Sequence, residues 1–409
     1  MLPNRRINLA LPLDASPRPA PKNSHVDPVL ACVVVTLIGL GVVMVYSAST
    51  VQGTLRHHDP QFFLKRQVVY AIAGLALMTG LRFFDYHKLY KLTYPLLFGT
   101  AALLVVAVTR LGHSGGGASR WIAVGPVHIQ PAEIAKLSLI LWLAYSLSKK
   151  ADKVKSFTVG FLPHLLMVGI FVVLCMKQPD FGSAVVLLLL TFTLLFVAGA
   201  KVGYILGASI LGVGFGTLSI VLRAYRYQRY LAWANMEDHK QDLAYQPFQS
   251  VMSFGSGGFW GLGSGRGYQT LFLPEAHTDF IAAIIGEELG FIGILCLVTL
   301  FFTLVMRGVR AALRAPDDYG SYLAFGISTL FGLQAVINLS VALALLPTKG
   351  LTLPFLSFGG SSLLINACAA GILLNISSQS FRAKAKTPKE ANPSEGPAQQ
   401  ELDLGEHAT

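Results

Sequence analysis

Ionisable groups placed where apolar runs begin carry the chemistry available to this chain. Asp279 closes PEAHTDF, residues 274–280, where a polar stretch ends and the apolar run 280–306 starts. The same run holds Glu287 and Glu288 in IIGEELGFIG, and Glu133 stands beside Lys136 in QPAEIAKL at the start of another. A charge at the lip of a membrane helix is costly, so it is held there by a function or by a partner. For Lys136 the candidate partners are Asp279, Asp180 of KQPDFGSA, and Glu133 at helical spacing i,i+3. The three stay open on the sequence, with Asp279 the expected one because its depth matches that of Lys136.

One outward carboxylate with cations nearby suits a particular reaction. Hydrolysis of a glycoside needs two carboxyl groups because the leaving alcohol must be protonated. A sugar that departs from a pyrophosphate needs only a base for the incoming hydroxyl and positive charge on the phosphates. Asp279 fits the base, His277 a supporting partner for it, and Lys136, Arg120 and Arg266 the cationic clamp, with arginine suited to forked contacts on phosphate oxygens. A proton-coupled carrier using Asp279, Glu287 and Glu288 as a relay fits the same residues equally well.

The elements that position these groups are membrane helices. The chain is 53% hydrophobic and 13% charged with mean hydropathy +0.56, so its solvent is mostly lipid. Ten windows approach the ~20 residues needed to cross the hydrocarbon: 28–48, 64–82, 92–109, 132–148, 158–176, 181–199, 202–222, 280–306, 321–346 and 358–377. Lys and Arg collect in alternate short loops (Arg82, Lys88 and Lys91; Lys149 to Lys155; Lys201; Arg307 to Arg314) and in both tails, which makes that side cytoplasmic. The expectation is an all-α polytopic protein of about ten spans with both termini cytoplasmic and one long outer loop, 223–279, between spans seven and eight. Residues 1–27 form a polar cytoplasmic tail, 28–377 the membrane domain, and 378–409 a disordered cytoplasmic tail.

The net charge of +11 is dispersed over many short loops and forms no groove or stripe, which argues against nucleic acid. Cys32, Cys175, Cys296 and Cys368 all fall inside spans without a CxxC pair, so disulfides and thiolate metal sites are not expected. The histidines show no metal-ligand spacing. The glycine-rich string 255–267 matches neither phosphate-loop nor dinucleotide patterns and reads as a flexible loop. Gln334, Asn338, Asn366 and Asn375 read as interhelical hydrogen-bonding groups.

With these motifs assembled, the chain resembles the SEDS family of polytopic glycosyltransferases of bacterial cell-wall synthesis. RWIAVG, QPAEIAKL, KQPDFGSA, LPEAHTDFIAAIIGEELG and PTKGLTLPFLSFGGSSLL carry the likeness, in the family's order, over roughly 28–380. PEAHTDF with Ala276, and PTKGLTLPF, are more similar to the division branch than to the elongation branch. The resemblance implies polymerisation of lipid II, an undecaprenyl-linked disaccharide pentapeptide, into β-1,4 glycan strands at the outer face of the inner membrane during septal wall synthesis. It implies that Asp279 is the essential acid and that Lys136 faces the same cavity. It also implies a class B penicillin-binding transpeptidase and other division membrane proteins as partners. No cofactor follows from it, and a divalent cation at the pyrophosphate is left open.

Two positions depart from the family pattern. Phe358 stands where a tyrosine is usual, and Gly267 to Phe272 lacks the usual lysine, leaving Arg266 as its substitute. The rival readings are a lipid II flippase and a scaffold that recruits the transpeptidase.

Overall fold

The computed structural model describes residues 27–109, 113–115, 118–125, 127–222, 224–348 and 350–385. The two polar tails, except for Asp27 and 378–385, lie outside the described residues, as do parts of the glycine run after residue 110. Each expected apolar window falls on one helix: α1 (Pro28–His57), α2 (Phe62–Phe83), α3 (Leu89–Val108), α4 (Pro131–Lys149), α5 (Leu162–Lys177), α6 (Phe181–Val197) and α7 (Val202–Val221), then α10 (Ile281–Leu313), α11 (Asp318–Ala342) and α12 (Gly360–Ala385). Among the described residues eight helices are long and apolar enough to cross a membrane, and α6, at 17 residues, is a shorter apolar helix.

The remaining helix, α4, falls short in hydropathy because Glu133 and Lys136 sit in its first two turns. It is tolerated because α4 is enclosed by α3, α5, α6, α11 and α12 rather than by lipid. Leu139, Ile140, Leu143 and Leu147 are fully buried, and Ile140 lies with Leu194 of α6 against Gly326 of α11. At the opposite extreme is α7, whose only buried residue is Ala208, so nearly its whole surface is left to lipid.

Two segments outside the membrane-length helices carry secondary structure of their own. Between α3 and α4 lies a three-stranded antiparallel sheet, β1 (His113–Gly115), β2 (Ala118–Val124) and β3 (Val127–Ile129), paired in the order β1-β2-β3. The long loop contains α8 (Ala224–Ala234) and α9 (Tyr245–Gly257). Both are tied to the end of α11: Trp233 Nε1 donates to the Ala344 carbonyl at 2.8 Å and Ser250 Oγ to the Ala342 carbonyl at 2.6 Å.

The expectation of disorder is corrected for residues 378–385, since α12 runs on to Ala385, and 386–409 lie outside the described residues. Its end is held by polar groups that hydropathy does not see. Asn375 donates to the Arg82 carbonyl and accepts from the Tyr86 amide, and Gln379 reaches Asp85. At the same side Asp27 caps α1 and pairs with Arg307 of α10 at 2.6 Å.

The glycine-rich string is also corrected: it is a packed joint. Inside α10, Gly290 leaves helical geometry with φ 65° and ψ −162°. The interrupted ladder is completed by the string itself, with Leu262 and Gly263 amides donating to the carbonyls of Glu287 and Glu288, and Phe291 donating to the Gly258 carbonyl. A Cβ on Gly261 would lie 2.2 Å from the Glu288 carbonyl oxygen, so backbone meets backbone with no room for a side chain. Unpaired backbone at membrane depth is expensive, and a broken helix persists only when something else satisfies it.

Candidate functional site

The helix ends that the charge bias assigns to the outer side converge on one cavity of about 1820 Å³. That is larger than the ~300–1,000 Å³ of drug-sized ligand sites and suits a bulky substrate. Arg56 and Arg66 come from α1 and α2, Arg120 from β2, Lys177 from α5, and Arg226 and Arg229 from α8. Against these six cations the described wall carries three acids, Asp180, Glu275 and Asp279. A net positive, partly enclosed wall favours an anionic ligand, and arginine favours phosphate.

Asp279 is set by its local chain. Pro274 opens a turn in which Glu275 adopts φ 57°, a left-handed conformation unusual for glutamate, and the Glu275 carbonyl accepts from the amides of Thr278 and Asp279, each at 3.2 Å. The next helix, from Ile281 to Glu288, is buried on every side, which makes a rigid base for the turn. Asp279 is part-exposed to the cavity by area yet densely surrounded by protein. Burial, with Glu275 close by, pushes its carboxyl from 3.8 up to about 7 against the pull of Arg120, and Asp180 adds to the rise. A carboxylate poised near neutrality is matched to proton abstraction at ordinary pH.

Asp180 lines the same cavity, but its carboxylate caps α6 by accepting from the Ser183 amide and hydroxyl at 3.0 and 2.8 Å. Arg120 spends Nε on the Gln178 carbonyl at 3.2 Å and Nη2 on the Pro179 carbonyl, which leaves Nη1 toward the cavity.

Several expected placements change. Lys136 is fully buried and its ammonium donates to Glu133 at 2.7 Å, so the partner is Glu133 and not Asp279, and neither group is part of the cavity wall. Spacing i,i+3 on α4 puts the two on one face inside a packed bundle, where each neutralises the other. His277 lines the cavity but makes no hydrogen bond to Asp279. It packs between Phe63 and Phe358, with ring centres 4.6 and 5.6 Å away, and burial lowers its pKa to about 4, so it stays neutral.

Arg266 is exposed and outside the wall, because Gly267 beside it packs on Glu287 and turns the loop toward α10. Glu287 is absent from the wall: its carboxylate accepts from the amides of Tyr268 and Gln269 at 2.8 and 3.1 Å. Glu288 accepts from the Ser47 hydroxyl of α1. Both secure the joint in α10, and no chain of hydrogen bonds leads from them to Asp279 among the described residues.

Residues missed from the sequence are Glu275, Arg56, Arg66, Lys177, Arg226 and Arg229. Glu275 belongs to the same motif as Asp279. In RAYRYQRY, Arg226 and Arg229 are three apart and share a face once the stretch is helical. Arg56 and Arg66 carry no local signal, because only the packing of α1 on α2 brings them to the wall. No group of three or more His, Cys, Asp or Glu side chains converges as a metal cage among the described residues.

A helical bundle with eight membrane-length helices, a cation-rich cavity at one end and a single near-neutral carboxyl on its wall defines a membrane protein built to act on a large anionic amphiphile. Comparison with known proteins makes the class specific. The cell cycle protein family model of FtsW, RodA and SpoVE matches residues 28–382, and the chain belongs to that family. It is 45% identical over 355 residues to the "Probable peptidoglycan glycosyltransferase FtsW" of Geobacter sp. (strain M18), covering 86% of this chain and 97% of that one. It is 39% identical to stage V sporulation protein E of Bacillus subtilis, over 87% of this chain and 98% of that one. Among solved structures it is similar to a chain from a study of polymerization and crosslinking by a peptidoglycan synthase complex, with TM-score 0.70 and 30% identity over 87% of this chain and 99% of that chain. It is also similar to the rod shape determining protein RodA of Thermus thermophilus, with TM-score 0.65 and 29% identity over 87% and 98%.

Proposed function

We propose that this chain is a peptidoglycan glycosyltransferase that polymerises lipid II into β-1,4 glycan strands at the outer face of the bacterial inner membrane, in septal wall synthesis. The observation that carries the reading is Asp279: one carboxyl held near neutrality on the wall of a cavity lined by arginines. Its relatives' names supply the substrate class.

In this mechanism Asp279 takes the proton of the acceptor's GlcNAc 4-hydroxyl as that oxygen bonds to the anomeric carbon of the donor MurNAc. The bond from that carbon to the pyrophosphate oxygen breaks, undecaprenyl pyrophosphate leaves with the electron pair, and the α-linked donor becomes a β-1,4 linkage by inversion. Wall arginines such as Arg56, Arg66 and Arg226 offset the charge that grows on the pyrophosphate, as preorganised donors do for a leaving anion. A positioned base is typically worth about 10² to 10⁴ in rate.

The test is the purified full chain with lipid II in detergent, read as polymer on a gel. Folded Asp279→Asn protein is expected to lose at least ~100-fold in rate; polymer at the normal rate would refute the assignment. Detergent removes sidedness, so polymer formed there also separates the enzyme from a flippase. Against the carrier reading stand Glu287 and Glu288, which are bonded to the joint and not strung into a relay. A class B transpeptidase and other division membrane proteins are the proposed partners, and co-purification from membranes tests them.

A further inference from the structure

Three observations define a space beside Asp279. Asn338 of α11 is buried, and its single side-chain nitrogen donates both to the Asp279 carbonyl at 2.9 Å and to the Leu351 carbonyl at 2.7 Å. One amide therefore fixes the turn bearing Asp279 to the segment bearing Gly350. A Cβ built on Gly350 would lie 3.2 Å from Arg120 Nη1 and 3.3 Å from Asp279 Oδ2. Those two atoms are thus at most about 6.5 Å apart, the sum of these distances, and no ion pair joins them within 4.0 Å.

The part of that range up to about 5.6 Å takes one oxygen. A hydroxyl oxygen at ~2.8 Å from each group bridges at most about 5.6 Å, within the permitted range. Arg120 presents Nη1 because its other two nitrogens are engaged by the Gln178 and Pro179 carbonyls. The gap stays open because residue 350 has no side chain.

We infer that the acceptor hydroxyl is seated between Asp279 Oδ2 and Arg120 Nη1 across Gly350, and that Asn338 is the positioning residue that sets the width of this seat. The inference rests on the reading of Asp279 as the base and locates the acceptor within it. The hydroxyl donates to the carboxylate and accepts from the guanidinium, its proton passes to Asp279 as the oxygen bonds to the anomeric carbon, and Arg120 keeps its own protons throughout. The attacked carbon and its departing pyrophosphate then lie on the side of the hydroxyl away from Asp279, so Arg120 serves the acceptor and other wall cations serve the leaving group.

Gly350→Ala places a methyl in the seat while leaving the rest of the cavity open. The expected result, with lipid II and the full chain in detergent, is a kcat lower by at least ~10-fold with KM within ~3-fold, the pattern of a misplaced reacting group. Asn338→Leu removes both bonds at similar volume and is expected to give the same split. If Asn338→Leu does not fold, Gly350→Ala decides alone, with its melting temperature as the check on folding. A wild-type kcat in folded Gly350→Ala, or a loss confined to KM, overturns the seat. Asp279→Asn separates the two levels: if it is inactive while Gly350→Ala is normal, only the seat falls, and if it is active the base assignment falls as well.

Discussion

The pH dependence of polymerisation tests the site most directly, because an ordinary carboxylate and Asp279 as placed here behave differently in an accessible range. With its carboxyl near 7, Asp279 is roughly one-tenth ionised at pH 6 and about nine-tenths at pH 8. Only the ionised form accepts a proton, so kcat at saturating lipid II is expected to rise about tenfold between these values and then level off. A carboxylate at the usual 3.8 is fully ionised at both, and kcat would be flat. The charged groups facing Asp279 are Glu275 and Asp180, which hold its pKa up, and Arg120, which opposes them. Glu275→Gln removes one of the two negative charges, so the rising limb moves to lower pH and activity at pH 6 increases relative to the plateau. His277 does not titrate in this window because burial holds it near 4. Initial rates from pH 5.5 to 8.5 in detergent decide the matter. A flat profile, or a limb that moves upward in Glu275→Gln, would refute the reasoning.

The same carboxyl has a stability signature. Its pKa is raised on folding, so the fold prefers the protonated form; the penalty is absent below about pH 4, grows as pH rises, and is complete above about 7. Asp279→Asn is therefore expected to melt higher than the parent at pH 8 and to lose that advantage at pH 4, read by thermal unfolding in detergent. Lys136→Ala strands Glu133 without its partner and is expected to cost about 3–5 kcal/mol, most of it regained when Glu133→Leu and Lys136→Met are combined. Gly261→Ala drives a methyl into the Glu288 carbonyl at a residue with φ 82° and is expected to lower stability by more than about 2 kcal/mol, whereas Gly99→Ala, with open space around it, changes little.

The helices were legible because lipid imposes a length and a composition that twenty residues display by themselves. The fate of individual charges was less so, and the reason is local. Lys136 has three candidate carboxylates in the sequence reading, Asp279, Asp180 and Glu133, and what selects Glu133 is that both groups point into the same packed face of α4. Glu287 and Glu288 looked like a relay because hydropathy registers charge but not the backbone that consumes it. The break at Gly290, which frees backbone groups and draws the glycine string against them, depends on contacts more than twenty residues apart. The string looked flexible for the same reason: glycine signals both freedom and close approach, and only the partner distinguishes them. Arg56 and Arg66 were invisible because nothing in their neighbourhood marks them, whereas Asp279 was visible because its motif and its position at a helix mouth agree.

The division of labour among the acidic groups explains why one fold accommodates costly charges in two different ways. Glu133, Glu287 and Glu288 each have a fixed donor, respectively the Lys136 ammonium on the same helix, two loop amides and the Ser47 hydroxyl of α1, so each charge is engaged within the fold. The Asp279 backbone is held by the Glu275 carbonyl on one side and the Asn338 amide on the other, while its carboxylate receives no hydrogen bond from any described residue. A buried carboxylate with no donor among the described residues, beside Glu275 and with no ion pair to Arg120, keeps a high proton affinity and an open coordination site together. Supplying it with a donor, as Lys136 supplies Glu133, would stabilise the protein and remove the basicity that abstraction of a hydroxyl proton requires.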